Sequence, residues 1–130
     1  MVQKVQVAVG IVLHQDHVLI AQRNSAQHQG NLWEFPGGKI QPHETPLQAL
    51  KREFLEEVNL TVEQADFFME VEYQYVDKVV LLHVYLIHHF YGQAQGLEAQ
   101  PIKWVNIKEL SHYEFPNANE AIIKKLLALG

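Results

Sequence analysis

The spacing of apolar and polar residues changes period several times along the chain, and each change marks an element. Gln3 to Leu13 and Val18 to Arg23 are rich in Val and Ile and are separated by Gln15-Asp16-His17, which predicts a β-hairpin. Asn24 to Asn31 is polar and reads as a loop. Leu32 to Phe35 is a short apolar run stopped by Pro36-Gly37-Gly38, a strong break signal. Leu47, Leu50, Phe54 and Val58 then recur at helical spacing, the stripe of a helix with one buried face. Its start is marked by Thr45 as N-cap, Pro46 at the first helical position and Gln48 three residues after the cap, a capping box. Asn59 suits the left-handed position that ends a helix.

Beyond the helix, Phe67 to Tyr75 and Val79 to Phe90 predict two strands around Val76-Asp77-Lys78, and Lys103-Trp104-Val105 a short further one. Ala118 to Leu129 predicts a closing helix with Ile122, Ile123, Leu126 and Leu127 on its apolar face. Strands, helix, strands, helix is the order of a mixed β-sheet sandwiched between α-helices, in the α/β or α+β class. No repeat, linker or low-complexity segment interrupts it, so residues 1–130 are expected to form a single domain.

Composition narrows the function classes. With 130 residues, 48% of them hydrophobic and 19% charged, the chain can bury a core of its own and does not have the profile of a disordered segment. There is no cysteine, which removes disulfides and thiolate chemistry. No run approaches a membrane span and the N-terminus lacks the layout of a signal peptide, so a cytoplasmic enzyme or binding module is expected. The net charge of −5 argues against sequence-independent binding to a nucleic acid polymer. A small phosphorylated ligand fits only with a metal ion to screen its charge from the carboxylates.

Those carboxylates lie on the central helix. Residues three and four apart are neighbours there, so Glu53 faces Glu56 and Glu57, and such like-charge pairs repel by roughly 0.2–0.5 kcal/mol each. A bound cation is the natural remedy. A cluster of oxygen donors suits Mg²⁺, or Mn²⁺, better than a site of histidines or cysteines would, and divalent ions both neutralise a leaving phosphate and activate water. Glu53, Glu56 and Glu57 are therefore the expected metal ligands, and Arg52 an orienting ion-pair partner, for instance to Glu56 at i,i+4. Glu53, Glu44 and Glu98 are candidates for the base that takes the proton of the attacking water, with Glu53 favoured.

Gly38, Glu44, Arg52, Glu53, Phe54, Glu56, Glu57 and Leu60 stand at the spacing of the Nudix box, and Asn59 departs from it where the family has Gly. On these residues the chain resembles the Nudix hydrolases. The flanking Val7-Ala8-Val9-Gly10-Ile11, Glu34-Phe35-Pro36-Gly37-Gly38-Lys39, Gln100-Pro101 with Trp104, and Phe115-Pro116 with Ala118-Asn119-Glu120 resemble the MutT-type branch of that family. The resemblance implies a Nudix fold and a nucleotide-pool sanitising hydrolase that cleaves 8-oxo-dGTP, and dGTP more slowly, to the monophosphate and pyrophosphate by attack at the β-phosphorus. It adds the carbonyl of Gly37 and the side chain of Glu98 to the metal ligands. It also carries Arg23, His28, Glu34, Phe35, Pro36, Gly37 and Asn119 into the substrate site, where the Asn119 amide has the donor and acceptor to read an oxidised guanine edge. Lys78 departs from the expected arginine and lacks its planar fork.

Plainer roles compete: Phe35 as core, Glu98 as a solvated carboxylate, and Asn119 as the cap of the last helix. Two other functions compete as well. One is a Nudix hydrolase for ADP-ribose or a dinucleoside polyphosphate; the other is a non-catalytic nucleotide-binding Nudix domain, which would be expected to have lost box glutamates that are all present here. The expected partner is a small nucleoside triphosphate bound by a monomer, with no membrane and no nucleic acid polymer.

Overall fold

The structure, a computed structural model, describes residues 3–23 and 31–129. Strands β1 (Gln3–His14), β2 (His17–Gln22), β3 (Trp33–Glu34) and β4 (Gly37–Lys39) precede helix α1 (Pro46–Val58). Strands β5 (Thr61–Gln74), β6 (Lys78–Tyr91) and β7 (Ile102–Asn106) follow, and helix α2 (Glu120–Leu129) comes last. Among the described residues the strands make one mixed sheet in the order β3-β2-β1-β6-β5, with β4 on β1 and β7 on β2.

The first hairpin is shorter than the sequence predicts. β1 and β2 pair only at Leu13↔Val18 and His14↔His17, after which β1 runs parallel to β6 from Gln3↔Lys78 to Val12↔Ile87. A strand apolar on both faces belongs in the interior of a sheet, between partners. Its alternation splits the core in two. Val9 and Ile11 join Val18, Ile20 and Val84 beneath Leu110, Ile122 and Leu126. Ala8 and Val12 join Leu19 and Ile87 beneath Ala49, Leu50, Phe54 and Val58 of α1. The sandwich of sheet between helices is thus present, with α1 and α2 on opposite faces.

Helix α1 starts and stops where its sequence says. The Gln48 N–H donates to the Thr45 hydroxyl at 3.2 Å, the Thr45 N–H donates to the Gln48 side chain at 2.9 Å, and Asn59 adopts φ 63°. Other bounds differ. β5 begins at Thr61 instead of Phe67, because register shifts at Val62/Gln64, Gln64/Ala65 and Phe67/Met69 break the alternation that sequence reading relies on. Where Pro36-Gly37-Gly38 reads as a break, Gly37–Lys39 form a short strand paired with Val7–Val9. The last helix begins at Glu120, since Asn117–Asn119 form a tight 3₁₀ turn closed by the Asn119 N–H onto the Pro116 carbonyl. Leu127, expected on its buried face, is 47% exposed, and Ile122 and Leu126 carry the packing.

Candidate active site

Arg52, midway along the glutamate helix, organises the carboxylates around it. Its guanidinium grips Glu44 with two bonds, Nε to Oε2 at 2.6 Å and Nη2 to Oε1 at 2.8 Å. It reaches Glu53 at 2.8 Å and the Lys39 carbonyl at 3.1 Å, while the expected partner, Glu56, is its longest contact at 3.4 Å. Paired planar bonds of this kind are the strong ones between Arg and carboxylate. Glu44 also accepts the Gln41 N–H at 2.9 Å.

These bonds hold the Glu44 carboxyl down at about 2, its hydrogen bond to Arg52 being the main cause, and push Arg52 above its ordinary range. Of the three candidate bases, Glu53, Glu44 and Glu98, Glu44 is the one whose two oxygens are both taken up by Arg52. A carboxylate so acidic, with both oxygens engaged, is a poor base at neutral pH, and its contacts suit it to orienting Arg52.

Glu53 lies against the β4 backbone. A Cβ on residue 38 would sit 2.3 Å from its carboxyl carbon and 2.5 and 2.6 Å from its oxygens, so only glycine at 38 leaves this cradle open. Glu57 is more deeply set. Burial first, then a hydrogen bond with Glu53 and the charges of Glu53, Glu34 and Glu98, raise its carboxyl to about 9. Two acids at the C-terminal end of a helix with no base in its last turn also oppose the helix dipole. The arrangement is electrostatically costly without a cation. Glu98 is exposed, in the segment between β6 and β7, yet close enough for its charge to act on both Glu34 and Glu57.

Whether the residues fit a metal follows from this donor set. Among the described residues no three carboxylates or imidazoles stand as a ready-made coordination shell. Glu53 and Glu56 are held by Arg52, and Glu57 by Glu53. What is present is a group of oxygen donors facing a glycine-lined cradle, with one carboxyl that cannot ionise comfortably beside its neighbours. Hard divalent cations take such donors, and a buried carboxylate regains its ordinary acidity beside one.

A cavity of about 290 Å³ is lined by Glu57, Gly37, Gly38 and Asn119 among others. Its apolar wall is formed by Val5, Val7 and Val9 of β1 with Val80 and Leu82 of β6. Phe35, Pro116 and Ala118 line it near Asn119, and Phe35 stacks at 5.3 Å, tilted, on Phe115. Phe35 is therefore core and cavity wall at once. Arg23 and Glu34 form a short ion pair along the wall, and burial raises the Glu34 carboxyl against the opposing pull of Arg23.

Asn119 is the single buried polar residue among those described. Its side chain makes no hydrogen bond to the last helix, so the capping alternative is not realised. Pro36 is not among the residues lining this cavity, and its carbonyl accepts the Gly10 N–H at 3.0 Å. The expected role of His28 falls outside the described residues. Lys39, Tyr75 and Lys78 also line the cavity. Tyr75 and the apolar wall were missed as site residues, although the β1 alternation that builds the core also sets which valines face the cavity.

A carboxylate helix packed on a glycine strand and opening on a cavity with a buried amide is an arrangement suited to metal-assisted hydrolysis. Residues 8–125 match the family described as NUDIX domain, and the chain belongs to it. Within it, the chain is 39% identical over 128 residues to the 8-oxo-dGTP diphosphatase of Escherichia coli K12, covering 98% of this chain and 99% of that protein. The CTP pyrophosphohydrolase of the same strain is 29% identical, over 95% of this chain and 91% of its own. A solved structure from work on MutT of Aliivibrio salmonicida and Vibrio cholerae superposes with a TM-score of 0.86 at 32% identity, over 98% of this chain and all of that one (100%). The protein is a Nudix hydrolase dependent on a divalent metal and acting on small nucleotides. No helix among the described residues is long and apolar enough to cross a membrane.

Proposed function

We propose that this Nudix hydrolase converts 8-oxo-dGTP, and dGTP more slowly, to the nucleoside monophosphate and pyrophosphate, with residues 1–130 acting as one domain and as a monomer. The observation that carries this reading is the cavity itself, which Glu57 of the carboxylate helix lines together with the unpartnered, buried Asn119 amide. A base edge that satisfies that amide is favoured over one that leaves it unpaired by about 1–3 kcal/mol per lost bond. Phe35 and the β1 and β6 valines hold the ring, Arg23 and Glu34 stand with Asn119 in the base pocket, and Lys39 and Lys78 supply positive charge for phosphates. The likeness to the Escherichia coli 8-oxo-dGTP diphosphatase supports the same substrate.

Glu53, Glu56, Glu57, Glu98 and the Gly37 carbonyl would hold the metal, with Mg²⁺ the expected ion and Mn²⁺ a substitute. When bound, the metal neutralises phosphate charge and acidifies the attacking water. Arg52 keeps Glu53 at the cradle, and Glu53 accepts the proton as the water oxygen bonds to the β-phosphorus. The bond from that phosphorus to the bridging oxygen breaks, so the monophosphate departs with the bridging oxygen and pyrophosphate carries the new one.

The test is pyrophosphate release from 8-oxo-dGTP, dGTP, CTP, ADP-ribose and a dinucleoside polyphosphate at matched low concentrations, with and without EDTA. We expect 8-oxo-dGTP to lead and EDTA to abolish turnover. Faster cleavage of CTP or ADP-ribose, or equal rates for dGTP and 8-oxo-dGTP, would sink the substrate assignment.

A further inference from the structure

The segment that carries Glu98 is tied to the end of the catalytic helix. A helix leaves its last carbonyls without intrahelical donors, and here residues 92–101 supply them. The Gln95 N–H donates to the Val58 carbonyl at 3.0 Å and the Leu97 N–H to the Glu57 carbonyl at 2.9 Å. In return the Asn59 side chain donates to the Gln93 carbonyl at 3.2 Å.

One side chain joins the two sides directly. Gln100 Nε2 donates to the Glu57 carbonyl at 2.9 Å, and Gln100 Oε1 accepts the Glu98 N–H at 2.8 Å. A single planar amide thus links the backbone of a helix glutamate to the backbone of the loop glutamate. Between them Ala99 takes φ 62°, with its N–H on the Gly96 carbonyl at 3.1 Å, which folds Gln100 back beneath Glu98.

We propose that Gln100 is a positioning residue for hydrolysis: its amide fixes the Glu98 backbone to that of Glu57 and so sets where the loop carboxylate stands relative to the helix carboxylates. This deepens the ligand role proposed for Glu98 and rests on it. The Glu98 side chain is exposed and makes no hydrogen bond among the described residues, so its placement depends on its backbone. A donor and an acceptor on one rigid group are both needed. Methionine matches the shape of Gln without either, and Asn is one methylene too short to span both partners.

The test uses the full chain with Q100M, Q100N, E98Q and the E98Q/Q100M double variant. Free Mn²⁺ is followed by its EPR signal during titration with the metal alone, and hydrogen exchange is read at the Glu98 amide. Loss of an outer-shell partner typically weakens metal binding 10- to 100-fold, so Q100M should weaken Mn²⁺ binding roughly tenfold. It should also speed Glu98 exchange at least about tenfold, as for a bonded amide set free, and change Mn²⁺ binding no further once E98Q is present. Q100N should behave alike, and serves if Q100M folds poorly.

Unchanged Mn²⁺ affinity in Q100M overturns the proposal. So does an equal loss in the wild-type and E98Q backgrounds, which would mean that the helix end has merely loosened. Wild-type Mn²⁺ affinity in E98Q instead defeats the ligand role of Glu98. The positioning role then falls with it, and exchange reads only the bond: acceleration at Glu98 in Q100M leaves the tether as a purely structural link, and persistent protection removes the tether as well.

Discussion

Replacing Gly38 by alanine tests how closely Glu53 must be held. The new Cβ would stand 2.5 and 2.6 Å from the Glu53 oxygens, against 3.4 Å or more for an ordinary contact, so the carboxylate must retreat by about 1 Å. The obstacle is the far end of a side chain and not backbone, so the fold should tolerate it, with the thermal midpoint within about 5 °C of wild type. A reacting group displaced by about 1 Å costs on the order of 100-fold in rate, which is about 2.7 kcal/mol of barrier. The assay is pyrophosphate release at saturating nucleotide and Mg²⁺, beside a melting curve. Gly37→Ala is the contrast: its Cβ would lie 2.0 Å from the Ala8 carbonyl oxygen, so it should lose stability as well as rate. A Gly38→Ala enzyme with kcat within about threefold of wild type would show that the cradle does not set the position of Glu53.

Three further outcomes follow from the site. Glu44 sits near 2 in the fold against an ordinary 4.5, so its pairing with Arg52 stabilises fully above the ordinary value and fades as pH falls from there to about 2. The gap in urea midpoint between wild type and Glu44→Gln should therefore be full at pH 7 and close at pH 2; a gap independent of pH would contradict the pairing. The Glu53–Glu57 pair keeps a proton in the metal-free fold, since Glu57 is raised from 4.5 to about 9, and metal-free stability from this pair falls as pH rises through that window. Metal binding at pH 7 should expel the proton, so calorimetric heats in buffers of different ionisation enthalpy should differ, and Mg²⁺ should raise the melting temperature more at pH 8 than at pH 6. Identical heats would remove the argument. Asn119→Ala should lower the preference for 8-oxo-dGTP over dGTP by roughly tenfold or more in kcat/KM, with a smaller loss of rate on dGTP. Unchanged selectivity would leave Asn119 without a part in base reading.

What the sequence determined by itself is whatever depends on neighbours along the chain. Thr45, Pro46, Gln48 and Asn59 define α1 to the residue because capping and left-handed termination are local. The repulsion among Glu53, Glu56 and Glu57 is local for the same reason, and it pointed to a cation before any fold was in view. The bounds of β5 were hidden because its bulges break the period that betrays a strand. Tertiary structure decided the rest by bringing distant residues together. Arg52 prefers Glu44, outside the helix, because two bonds in one plane outweigh a single contact at i,i+4. Val7, Val9, Val80 and Leu82 became a cavity wall only when β1 and β6 lay parallel. Gln100 met Glu57 across a separation in sequence that no spacing rule spans, since the carbonyl it satisfies is left open by the end of a helix and can be answered only from elsewhere in the fold.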